Sequence, residues 1–266
     1  MAQMPVVRYT GNTPEGDFAM FRTFARTLVG VAVVGFAAAL SGCDAASVTI
    51  DGARGVPLSE LDLSGTAPEE ITLLGPDQVQ ITRGERLAIT VEGAPQVKDK
   101  LRFTLKDGKL GIARDSWKSD DREDSIATVR VTVPTARDLV LAGSGRIAID
   151  GIAADTAKLT IAGSGTIDAN GIDAKELKVD VVGSGKLRGA GSAGNLAMTI
   201  AGSGSADLEG LVARSAKIDV AGSGNARFAS DGEVKANIMG SGEVRVKGRA
   251  TCKVSAMGSG RLVCEP

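Results

Sequence analysis

The chain has 266 residues, a formal net charge of −1, 35 glycines and only 3% aromatic residues. Near-neutral charge argues against nucleic acid as a partner, and so few rings argue against a thick aromatic core. With no histidine in the chain, Ser-His-Asp and Cys-His triads are excluded, and the commonest metal ligand is missing.

Residues 1–19 carry no clear pattern, and the interpretable N-terminal signal begins at Met20. Arg22 and Arg26 form a short basic stretch, followed by the mostly apolar run Thr27 to Ala39. That run is too short for a bilayer core of about 30 Å, so residues 1–42 read as an upstream segment and a signal peptide. It ends Leu40-Ser41-Gly42-Cys43, which resembles a bacterial lipobox. Cys43 is therefore the expected lipidation site, and the membrane is the first expected partner, through the N-terminal lipid. Asp44 resembles an inner-membrane retention signal of some bacteria. The expected location is the cell envelope, facing the periplasm or the cell surface.

Residues 43–66 read as a tether. Residues 67–136 form an N-terminal β region with period-two segments near Ile71–Leu74, Gln78–Thr82, Arg86–Val91, Leu101–Leu105, Lys109–Ala113 and Ala127–Val133. Lys106-Asp107-Gly108-Lys109 is a hairpin signal, and Pro134 closes the last strand. Between them, Arg114 to Asp124 holds Trp117 and the acids Asp120, Asp121, Glu123 and Asp124. Their spacing is not that of an EF-hand, so the segment reads as a solvated loop and no metal site is assigned.

Residues 137–266 are a repeat array. Gly-Ser-Gly begins at Gly143, Gly163, Gly183, Gly202, Gly222, Gly240 and Gly258, at spacings of 20, 20, 19, 20, 18 and 18. Such a period signals a solenoid. Two residues before each corner stand Ile161, Val181, Ile200, Val220, Ile238 and Ala256, and four before stand Leu159, Val179, Met198, Ile218, Ala236 and Val254. Residues two apart share a strand face, so these columns line one interior. The expected fold is all-β: a single-stranded parallel β-helix with about 20 residues per coil. Glycine permits the corner's positive φ, and the small corner serines can join a hydroxyl ladder.

The same ruler places Cys252 six residues before the last corner and Cys264 six after its start, both inward and facing each other. A disulfide between them is expected, in keeping with an oxidising envelope. Outward, five residues before the corners, lie Lys158, Lys178, Lys217, Lys235 and Lys253, with Ala197 interrupting. They form a candidate binding strip for an anionic glycan or an envelope protein.

The run Val129-Arg130-Val131-Thr132-Val133-Pro134, then Leu139 to Gly145 and the repeated corners, resembles the bacterial family called the putative auto-transporter adhesin, head GIN domain. Val97-Lys98-Asp99 and Asp107-Gly108-Lys109-Leu110 fit it too, and the resemblance spans roughly Glu70 to Gly248. It implies a right-handed β-helix and brings no catalytic residues. The functional expectation is a non-enzymatic envelope lipoprotein that presents a solenoid for binding or adhesion, with no cofactor. The alternatives are a structural or assembly component of the envelope and a carbohydrate-active β-helix enzyme. The enzyme would need paired carboxylates drawn from Asp150, Asp168, Asp207 and Glu209.

Overall fold

The computed structural model describes residues 48–50, 52–115 and 126–266. The signal segment, Cys43, Trp117, Asp120, Asp121, Glu123 and Asp124 lie outside them. The repeat array opens on β9 (Asp138–Gly143), which leads through the first Gly-Ser-Gly corner into β10 (Arg146–Gly163). Then follow β11 (Thr166–Gly183), β12 (Lys186–Gly202) and β13 (Ser205–Gly222). Each long strand bends and serves three sides of a coil. The residues before a corner form face A, those after it face B, and a short third segment beyond a bend, as at Gly151, forms face C.

Each coil pairs in parallel with the next, so that Leu159 lies beside Val179 and Val179 beside Met198. The inward columns expected from the repeat are buried through Ala236 and Ile238, among them Leu159, Ile161, Val179, Val181, Met198 and Ile200, whereas Val254 and Ala256 at their ends are exposed. Burying such a side chain contributes about 1.5–3 kcal/mol. At the corners the backbone carries the ladder: Ser164 N donates to Gly143 O and Ser184 N to Gly163 O, at 3.0 and 2.9 Å. Among the described residues the corner contacts run through these N–H groups rather than a hydroxyl ladder, and Ser164 and Ser184 stand exposed. Glycine is required for a different reason. Gly183 has φ 108°, and a Cβ there would lie 2.6 Å from Gly163 O.

The shorter spacing of the last coils follows from a tighter passage out of face B: Phe228 and Ala229 pair with Leu208 and Val212, so a single step replaces the bend at Glu209, Gly210 and Leu211. β14 (Asn225–Ser230) passes to β15 (Glu233–Gly240) through Asp231 and Gly232 alone. The stack then continues with β16 (Glu243–Lys247), β17 (Thr251–Gly258) and β18 (Arg261–Glu265).

The N-terminal β region joins the same stack. β3 (Glu70–Leu74) and β4 (Gln78–Arg83) form a full coil that lies against β9 and β10. Its corner is Gly75-Pro76-Asp77: Gly145 N donates to Gly75 O at 2.9 Å, as Gly165 N does to Gly143 O. Beyond it lies a coil made by β7 (Lys109–Arg114) and β8 (Thr128–Val133). The earlier segment is thus inserted between two later ones. β5 (Ala88–Glu92) and β6 (Leu101–Lys106) pair antiparallel with β8 and β7 and cover that end. The β6–β7 hairpin turns at Asp107 and Gly108, with φ 51° and 73°. Val56 bridges to Phe103 on the outer side of β6, and β1 (Thr49–Ile50) pairs with β2 (Ala53–Arg54).

Candidate binding surface

Face A brings the predicted lysines together in register. Lys158 lies beside Lys178, Ala197 beside Lys217, and Lys217, Lys235 and Lys253 follow one another. Stacked like charges at about 4.8 Å are unfavourable, and each lysine is met by a carboxylate. Lys158 pairs with Asp180 at 3.8 Å, Lys178 with Glu176 at 3.4 Å and Lys217 with Asp219 at 3.7 Å. Lys235 and Lys253 share Glu233, at 3.1 and 2.8 Å. The hydrogen bonds from Lys253 and then Lys235 hold the Glu233 carboxyl below the usual glutamate range. The strip is therefore close to charge balance.

Beside it runs a polar column of Thr160, Asp180, Thr199, Asp219, Asn237 and Ser255, in which Asn237 donates to Asp219 at 2.7 Å. Next to the corners, one residue before each, is a column the sequence reading did not extract: Ala142, Ala162, Val182, Ala201, Ala221, Met239 and Met257. Every member is apolar although the position points outward. Val182, Met239 and Met257 are exposed. The signal for it lies in the sequence, where apolar residues recur at a fixed offset of one before each corner.

Face B is organised by salt bridges. Asp168 is clasped by Arg146 at 2.6 Å and by Arg188 at 3.6 Å. Asp150 accepts from Asn170 at 3.5 Å, and Glu209 pairs with Lys247 at 3.1 Å. A recess of about 360 Å³ lies here, lined by Glu209, Arg227, Arg245, Lys247 and Glu265. Asp168 and Glu209 are thus each engaged by cations. Among the described residues no group of three or more Asp, Glu or Cys side chains is placed to hold a metal ion. Cys252 and Cys264 form a disulfide across the last corner, with Cα atoms 6.8 Å apart.

The sequence profile of the family described as putative auto-transporter adhesin, head GIN domain, matches residues 67–250. The chain belongs to this family. The matched residues run from the coil of β3 and β4 to the edge of the last coil, so the GIN domain coincides with almost the whole stack. No curated protein matches the chain. Its fold is similar to a crystal structure described as a putative adhesin from Bacteroides fragilis NCTC 9343, with TM-score 0.68 and 21% identity over 76% of this chain and 93% of that one. It is also similar to a structure described as a putative lipid binding protein from Parabacteroides distasonis ATCC 8503, with TM-score 0.59, 23% identity and the same coverage. A putative adhesin from that organism covers 76% of this chain and 94% of its own, at 20% identity and TM-score 0.59. At these identities the likeness is one of fold.

Proposed function

We propose that this GIN-domain chain is a non-enzymatic envelope protein, lipid-anchored at Cys43, that presents face A of its solenoid to an envelope protein. The observation that carries this reading is the make-up of face A. Charged, hydroxyl-bearing and apolar columns run side by side in register over successive coils. Such a surface offers apolar contact and short hydrogen bonds to a macromolecule. Because each lysine already has a carboxylate, the surface attracts a polyanion weakly, which favours an envelope protein over an anionic glycan. The family assignment supports adhesion-like use, and the structures of similar fold are described as putative adhesins or as a putative lipid binding protein. Among the described residues no helix is long and apolar enough to cross a membrane.

The test is cross-linking of the full chain in its own membranes, comparing Val182→Glu/Met239→Glu on face A with Arg146→Glu on face B. The expected result is a specific adduct that survives the face B change and is lost with the face A change. An adduct unaffected by Val182→Glu/Met239→Glu overturns the face A reading. A Cys43→Ala chain that stays with the membrane overturns the anchor.

A further inference from the structure

The two ends of the stack are finished differently. At the N-terminal end β5 and β6 cover the outer edges of β8 and β7. At the other end, among the described residues, β17 pairs only with β15 and β18 only with β16. Among the described residues, the outer edges of both strands of the last coil are therefore unpaired. The interior columns also reach the surface there. Val254 lies beside Ala236 in the same inward column, yet Ala236 is 1% exposed and Val254 53%. Ala256 is exposed as well, and Leu262 and Cys264 are only partly covered. Free edges and an uncovered core layer together are what proteins ordinarily avoid or use for association.

We propose that this end docks on the same end of a second copy about a two-fold axis through the corner at Ser259. Such an axis exchanges faces A and B and reverses the chain direction. It therefore lays β17 of one copy antiparallel to β18 of the other, twice, as an isologous contact requires. A register centred on Ser259 sets Lys253 against the partner's Glu265, Ser255 against the partner's Val263 and Met257 against the partner's Arg261, all outward. It sets Val254 against the partner's Cys264 and Ala256 against the partner's Leu262, all inward. Inward residues meet inward ones at every step, so the two interiors become one. The Lys253–Glu265 match occurs twice, and no like charges face each other. An axis through the middle of β18 would instead set β17 against a third face, which no described strand of this coil forms. The inference goes beyond the binding reading of face A and does not rest on it.

The test uses the full chain solubilised from membranes. Under mild oxidation, Ser259→Cys is expected to give a disulfide-linked dimer, while Ser164→Cys, at an equivalent exposed corner in mid-stack, does not. In sedimentation, Lys253→Glu and Glu265→Lys each weaken association about tenfold, since each spoils two symmetric pairs, and the double exchange restores most of it. The Ser259→Cys test keeps the proposal falsifiable if the charge variants disturb the last coil, because that corner side chain is exposed. Equal cross-linking at positions 164 and 259, a monomer at all concentrations, or a double variant no tighter than the single ones would overturn it. So would an assembly that grows beyond two copies, because a two-fold contact closes.

Discussion

Thr160 stands in the polar column of face A, but its Oγ1 is buried and finds no hydrogen-bond partner. An unsatisfied buried hydroxyl costs about 1–3 kcal/mol, and valine has nearly the same shape and suits a strand. Thr160→Val is therefore expected to raise stability by about 1 kcal/mol, read from chemical denaturation, and a loss of stability would refute the account. The corners show the same logic in reverse. Glycine at Gly183 was legible from the repeat because positive φ and backbone approach admit no Cβ. The serine continues the ladder through its N–H rather than its hydroxyl. Any residue but proline brings that N–H, so residue identity alone could not reveal it.

At the scale of the strand, the lysine column was legible as a column, but its charge balance was not. Glu176 and Glu233 stand seven residues before their corners, outside the lysine column, and their role depends on which lysine they reach. This pairing predicts a pH dependence. The folded Glu233 carboxyl lies below its ordinary value of 4.5, so its stabilisation is present above about pH 4.5 and lost as pH falls through the lowered value. Glu92 is held down by Arg130 and Glu243 by Arg245, with the same sign. Asp138 acts oppositely: burial raises its carboxyl above the ordinary 3.8, so its contribution fades as pH rises through the folded value. Thermal melts taken across the acid range should show stability falling below about pH 4.5, with a shallower slope in Glu233→Gln. An unchanged slope would mean that these surface pairs contribute nothing measurable.

For the whole molecule, the decisive contact is a buried ion pair at the Gly75-Pro76-Asp77 corner. Asp77 accepts from Arg114 Nε at 3.0 Å, from Arg114 Nη2 and from Ala127 N at 2.8 Å, and both side chains are about 1% exposed. It joins the coil of β3 and β4 to the outer coil of β7 and β8. Arg114→Met would strand a buried carboxylate and cost about 3–5 kcal/mol, measured by denaturant unfolding. Adding Asp77→Asn should recover part of that loss, and full additivity of the two changes would contradict a direct pair.

Sequence by itself determined the local and periodic features: the Gly-Ser-Gly corners, the buried columns of β10 to β15, and the facing of Cys252 and Cys264. Each depends on side-chain alternation within a strand and on a repeat of 18 to 20 residues, both read along the chain. Tertiary structure alone decided the order of stacking, the partners of the lysines and the contrast between the two ends. The coil of β3 and β4 slots between β7–β8 and β9–β10 because its corner accepts the same backbone hydrogen bonds across a long gap in sequence. Those bonds are made by main-chain groups that every residue but proline carries in full, so no pattern of side chains announces them until the coils are stacked.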